Sequence, residues 1–346
     1  MAAGERDPTA SGRDARALAH AGLVRELVTA GVLPDPAWRA AFEAVPRHAF
    51  VPWFFAPRGA GHERLWSEDP DPERRARWLR GVHADTPVAI RLRDGILTSS
   101  SSQPSLMARM LHALDVADGH RVLEIGTGSG WNAGLLAHRL GSDAVTTVDL
   151  DPEITESARG HLAAVGLGPT VVTGDGARGC PARAPYDRIL VTCALPTVPP
   201  AWPAQCRPGA LVLAPLATGL LALRVRDAGF AEGRFLRTPV YFVPLRGACA
   251  SPPDAWRERE SQACGLTENE AFRFMLLVTG ATLHPREALD LWRGEGRPGR
   301  ERFGVTVTPE GAWAWLDDPD GPYAWPLGEE GAGSGTGSGS RAGAGG

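Results

Sequence analysis

Val122-Leu123-Glu124-Ile125-Gly126-Thr127-Gly128-Ser129-Gly130 places an apolar run directly before three alternating glycines. The run reads as a buried strand, the glycines as the turn after it, and a helix is expected to begin near Trp131. Glycine lacks a Cβ, so such a turn reaches positive φ without a clash and lets a ligand lie against the main chain. The ligand-facing candidates in this stretch are Glu124, Gly126, Thr127, Gly128 and Gly130. Two carboxylates follow in register. Asp149 ends the next apolar run, about 20 residues after the turn, where a carboxylate can accept both hydroxyls of a ribose, and Leu150 follows it. Helix capping is the competing use, because Asp151-Pro152-Glu153 opens a helix, and the two aspartates can divide the work. Asp175, within Gly174-Asp175-Gly176, can accept an adenine amino group while Gly176 lets the ring approach; a plain turn is the competing reading. The chemistry these positions share is the holding of an adenosine-bearing cofactor.

A second group consists of hydroxyls. Leu97-Thr98-Ser99-Ser100-Ser101-Ser102-Gln103-Pro104 lies between a strand-like Ile96-Leu97 and an amphipathic helix carrying Leu106, Met110, Leu111 and Leu114. One hydroxyl is expected to cap that helix, and several remain to face a ligand. Thr192 and Cys193 end the run Tyr186 to Thr192, at the strand edge where doubly wound sheets place their sites.

These residues need a parallel sheet behind them. The fold expected is α/β: a Rossmann-like sheet flanked by helices, preceded by an N-terminal helical segment and followed by a smaller α+β unit. Residues 1–96 form the helical region with an insertion, 97–249 the core, 250–327 an accessory domain and 328–346 a disordered Gly/Ser/Ala tail. Helices are expected over Arg16 to Ala30, ending at Gly31, and over Pro36 to Ala44. Arg58 to Arg80 reads as a charge-rich excursion with one short helix, and late strands are expected at Ala210 to Pro215, Leu220 to Arg226 and Val240 to Leu245. In the C-terminal unit, Thr267-Glu268-Asn269-Glu270 resembles a capping box before a helix. Phe303 to Val307 and Ala312 to Leu316 read as a hairpin.

Composition narrows the partners. The net charge is −4 and no basic stripe interleaved with aromatics is present, so nucleic acid is not expected. No run is long enough for a membrane helix and the first residues lack an apolar signal region, so a cytoplasmic protein is expected. The five cysteines show no metal spacing and are expected to be reduced thiols. The acidic loop Asp317 to Tyr323 lacks EF-hand spacing, so no metal is expected.

The spacing G-x-G-x-G is the form usual in S-adenosylmethionine (SAM) methyltransferases, and Val45 to about Gly247 resembles protein-L-isoaspartate O-methyltransferase. The matching pieces are Val45-Pro46-Arg47, Phe50-Val51-Pro52, Ser102-Gln103-Pro104, Val122 to Gly130, Gly174-Asp175-Gly176, Ala184 to Ile189, Pro208-Gly209 and Phe242 to Leu245. The resemblance implies SAM as cofactor and S-adenosylhomocysteine as product. It places Ser102, helped by Ser101, beside the acceptor carboxyl group, with Thr192 bordering the pocket and Gln103 on the cofactor. An acceptor carboxylate is ionised near neutral pH, so positioning rather than a strong base is the requirement. The chain departs from the repair enzymes at Val88 to Gly95, at Ser100-Ser101, in a segment inserted between Trp53 and Asp85, and in the C-terminal unit. That layout is similar to methyltransferases encoded with ribosomally made modified peptides, graspetides and lanthipeptides among them. A macrocyclised precursor peptide is therefore the expected partner, methylated on an aspartate side chain that collapses to aspartimide, with repair of isoaspartate in damaged proteins as the alternative and a non-catalytic module that binds SAM and peptide as a third reading.

Overall fold

The computed structural model describes residues 8–227, 229–247, 265 and 268–328. Helix α1 (Pro8–Thr29) begins earlier than expected and ends as expected, with Gly31 at φ +70. Helix α2 (Pro36–Ala44) is capped by Asp35, whose carboxylate accepts from the Ala37 N–H at 2.8 Å, with proline in the first turn.

The charge-rich excursion folds into more than one helix. It forms strands β1 (Trp53–Arg58) and β2 (Gly61–Trp66) and helix α3 (Pro72–Val82). With β3 (Val88–Arg93) and β4 (Ile96–Ser101) these strands make an antiparallel sheet of order β2-β1-β3-β4. A charge on the inward face of β2 conceals the alternation that would announce it: Glu63 is buried beside Leu65 and paired with Arg58, Arg74 and Arg77, while Arg64 stacks over Trp53 at 4.7 Å.

Helix α4 (Pro104–Ala113) is followed by the main sheet: β5 (Val122–Ile125), α5 (Trp131–Leu140), β6 (Val145–Asp149), α6 (Pro152–Ala164), β7 (Thr170–Thr173) and β8 (Tyr186–Val191). After the short α7 (Ala201–Ala204) come β9 (Cys206–Leu216), β10 (Gly219–Asp227) and β11 (Phe230–Pro239). Helices α8 (Glu270–Val278) and α9 (Pro285–Gly294) precede β12 (Phe303–Thr308), β13 (Gly311–Leu316) and β14 (Ala324–Leu327). The sheet order is β14-β13-β12-β11-β10-β9-β8-β5-β6-β7. Strands β9, β8, β5, β6 and β7 run parallel; the remaining pairs are antiparallel.

Three expectations need correction here. No strand covers Val240 to Leu245: that stretch is extended and touches its neighbours through an isolated bridge between Ala194 and Pro244. Pro239 and Pro244 bracket it, and proline has no N–H to give a ladder. No serine caps α4; the Ser105 N–H is taken instead by the Asp85 carboxylate at 2.7 Å. The cap of α8 is Asn269, accepting from the N–H groups of Ala271 and Phe272.

The C-terminal strands continue the main sheet, with Val305 opposite Gly233 where β12 meets β11. Phe274 packs on Phe235 at 4.8 Å, inside the cluster that also holds Leu223 and Val225. The Gly/Ser/Ala tail beyond Gly328, the linker Ser251 to Asp254, Thr267, and Cys249 and Cys264 lie outside the described residues. No helix among the described residues is long and apolar enough to cross a membrane.

His48, just after α2, and His83, at the end of α3, meet with Nδ1 and Nε2 3.1 Å apart, beside the ring of His20. Burial is the main cause that pushes both imidazoles down to about 4. An unfolded chain takes up these protons near 6.5, the folded protein only near 4. Stability is therefore full above about 6.5 and falls as the pH drops from about 6.5 toward 4. Thermal melts across that window should show a falling Tm, and His83→Gln should make the fall shallower.

Candidate active site

Strand β5 pairs in parallel with β6 on one side and β8 on the other, so the carboxyl ends of these strands open the crevice at which such sheets bind ligands. The turn after β5 holds Gly126, Gly128 and Gly130 at φ +98, +52 and +84. A Cβ on Gly126 would stand 2.7 Å from Thr192 Oγ1. Gly130 is needed for a different reason, since its Cβ would meet the Cβ of Ala158 at 3.1 Å; it lets α5 approach α6 and does not line the crevice.

The cavity has about 760 Å³ of empty space, its mouth included. Glu124 to Ser129 form one side and Thr98 to Ser102 the other; Met107, Trp131, Asn132, Val148 to Leu150, Gly176, Thr192, Cys193 and Val243 to Arg246 complete the lining. Glu124 is fully buried, accepting from Thr147 Oγ1 and Asn132 Nδ2, both at 2.6 Å. Burial pushes its carboxyl up to about 7, against the pull of those two donors. Asn132 Oδ1 is buried without a hydrogen-bond partner among the described residues. Thr127 donates to or accepts from Thr147 at 2.8 Å. Asp149 accepts from the Gly128 N–H and the Asp151 N–H, both at 3.2 Å, so it supports the turn and the following helix together. Leu150 lies at the rim, 39% exposed.

Three arginines gather beside the cavity, and of them Arg246 lines it. Arg246 pairs with Asp149 at 3.2 Å, Arg91 with Asp151 at 3.3 Å and Glu153 at 2.7 Å, and Arg93 with Asp151 at 3.1 Å. The last two belong to β3, so the β3–β4 hairpin is clamped onto the start of α6 by charge.

Not every expected residue meets the cavity. Gln103 turns to Ser105 Oγ at 3.0 Å and Asp85 at 3.3 Å and is not among the lining residues. Asp175 is also outside the lining; it accepts from the Ala177 N–H at 3.0 Å and lies beneath Gly247, while its neighbour Gly176 does line the cavity. Thr192 gives its hydroxyl proton to the carbonyls of Gly126 and Ile125, at 2.8 and 3.1 Å, and so buttresses the glycine turn. Ser101 is buried and its Oγ accepts from Arg47 at 3.3 Å. Ser102, half-buried, faces the cavity. Burial pushes the Cys193 thiol far up, which removes it as a nucleophile. Arg47, Asp85, Asn132 and Arg246 were not expected at the site; only Arg47 carried a signal, as part of Val45-Pro46-Arg47.

The sequence profile of the family described as Protein-L-isoaspartate(D-aspartate) O-methyltransferase (PCMT) matches residues 76–248, half of the chain. The protein-L-isoaspartate O-methyltransferase 1 of Anaeromyxobacter sp. (strain Fw109-5) is 37% identical over 237 residues, covering 65% of this chain and 95% of that protein. This chain belongs to the PCMT family. The protein-L-isoaspartate O-methyltransferase of Thermococcus onnurineus (strain NA1) is 34% identical over 232 residues, 65% of this chain and 91% of its own. A solved structure named protein-L-isoaspartate O-methyltransferase shares the fold, with a TM-score of 0.58 at 21% identity over 86% of this chain and 100% of that one. As a PCMT member the protein is a SAM-dependent carboxyl O-methyltransferase. SAM suits the residues present: the glycine turn leaves no room for a Cβ at Gly126, a buried acceptor stands open on Asn132, and Asp149 lines the same crevice.

Gly126→Ala sets a methyl group against Thr192 on a backbone that disfavours it, at a cost of about 1–2 kcal/mol. Thermal shift should show the lost stability, and calorimetry should show SAM binding weakened about tenfold.

Proposed function

We propose that this enzyme methylates the free α-carboxyl of L-isoaspartyl residues in proteins or peptides. The observation that carries this reading is the wall opposite the glycine turn, Thr98 to Ser102, which offers hydroxyls and no titratable base. An ionised carboxylate needs no proton removed before it attacks, so such a wall suits this acceptor and would suit an alcohol or amine poorly. The family match and the names of its relatives support the isoaspartyl form.

When bound, SAM would supply a sulfonium methyl group to a carboxylate oxygen, the new O–C bond forming as the C–S bond breaks and S-adenosylhomocysteine leaves as a neutral thioether. In this reading the chain's residues bind and orient. Gly126, Thr127 and Gly128 hold the cofactor's main-chain side, Asp149 takes the ribose hydroxyls, Leu150 and Gly176 flank the base, and Glu124 with Asn132 faces its cationic end. Ser102 donates to the acceptor carboxylate, and the wall keeps water from the line of attack.

A second reading, methylation of an aspartate side chain in a macrocyclised ribosomal peptide, is favoured by one feature. The segment inserted between Trp53 and Asp85 forms β1, β2 and α3, and its strands extend the sheet that carries the acceptor wall. The C-terminal unit does not separate the two readings. The structural match covers 86% of this chain, more than residues 1–249 could supply, so part of that unit has a counterpart in the matched fold.

Ser102→Ala should lower kcat about 10²-fold through lost orientation, with SAM affinity unchanged by calorimetry. Mass spectrometry with SAM and matched peptides decides the acceptor. Methylation of an isoaspartyl peptide but not its aspartyl twin is expected. Methylation confined to a cyclised aspartyl precursor, followed by loss of methanol and so a net loss of water, would replace the first reading with the second.

A further inference from the structure

Arg47 is 0% exposed and makes no ion pair among the described residues. Its guanidinium is spent on backbone. Nη1 donates to the carbonyls of Val82 and Ala84 at 3.2 and 3.1 Å; Nη2 donates to those of Thr86, Ser101 and Ser102 at 3.0, 2.9 and 3.0 Å. Nε reaches Ser101 Oγ at 3.3 Å. The group also stacks 5.5 Å from the ring of Trp131, the first residue of α5 and part of the cavity lining. Trp131 is fixed in turn by its Nε1–H, which donates to the Val45 carbonyl at 3.0 Å. One side chain thus touches both the end of the acceptor wall and the helix that leaves the glycine turn.

The other flank of the serine turn is held by Asp85. Its Oδ1 accepts from the Ser105 N–H at 2.7 Å and its Oδ2 from Gln103 Nε2 at 3.3 Å. Ser102 therefore sits between two anchors, a guanidinium on the carbonyl side and a carboxylate on the N–H side. Burying a guanidinium is costly unless its donors are satisfied, and here they tie the segment 82–86 to Ser101 and Ser102, the end of the acceptor wall. A planar fork with five N–H groups can hold several carbonyls in one plane; an ammonium cannot.

We propose that Arg47, opposed by Asp85, is a positioning residue for methyl transfer, fixing Ser102 relative to the cofactor turn. The proposal rests on the reading of Ser102 as the acceptor-facing hydroxyl. An acceptor misplaced by about 1 Å loses on the order of 10²-fold in rate, and the loss should appear in kcat rather than in cofactor affinity.

The test is a double-mutant cycle of Arg47→Lys and Ser102→Ala, with kcat, peptide KM and SAM affinity measured for each protein. Lysine keeps the charge and loses the fork. Arg47→Lys is expected to bind SAM like the parent and to lose about 10²-fold in kcat, yet to cost less than about threefold in the Ser102→Ala background, because the two act as one unit. Losses that multiply, or a kcat loss matched by an equal loss of SAM affinity, would show Arg47 to be merely structural. Should Arg47→Lys fail to bind SAM at all, Asp85→Asn replaces it in the cycle; the same kcat loss and the same non-additivity are expected, and multiplying losses overturn the proposal. Wild-type turnover by Ser102→Ala would instead sink the acceptor assignment itself.

Discussion

A single carboxyl group with no exposure, Glu124, ties together the elements on which the crevice depends. It leaves β5, receives a hydroxyl from Thr147 on β6 and an amide from Asn132 on α5. Those two bonds set the angle at which the chain exits β5, hence where the glycine turn lies. Desolvation works against the charged form and the two donors favour it, which leaves the group near neutrality. A buried acid so poised is a strong constraint: losing either donor would leave a polar atom unsatisfied at the floor of the site.

The half of the site made from local pattern was legible in the sequence. A strand, a glycine turn and a helix are consecutive, so Gly126, Thr127 and Gly128 could be placed by spacing alone. Asp149 and Leu150 were legible for the same reason, as each parallel strand ends on the same edge. What could not be read is what long-range contact decides. Gln103 follows the serines directly, yet Asp85, 18 residues away, turns it from the cavity. Thr192 lines the cavity, but its hydroxyl proton goes to the glycine turn. Arg47 and Ser101 are 54 residues apart, and no periodicity reports that one will meet the other.

The same division holds for the fold. The parallel core announced itself through apolar runs and turn chemistry. Strands β1 and β2 did not, because one of the two buried positions of β2 is a glutamate, Glu63, held there by arginines. The change in composition near residue 250 suggested a separate unit, but composition does not reveal which edge a strand will join. Strand β12 pairs onto β11 and carries β13 and β14 beyond it, sharing its core and lengthening one sheet to ten strands among the described residues.

The arginine clamp beside the cavity is a seam of a particular kind, joining β3 to the start of α6 by charge. Its ion pairs run from part-exposed arginines to Asp151, whose side chain is 3% exposed, and from Arg91 to Glu153, which is 76% exposed. A polypeptide moving past this hairpin toward the methyl donor parts charge from charge, and dissolved salt loosens the Glu153 pair before those on the buried aspartate.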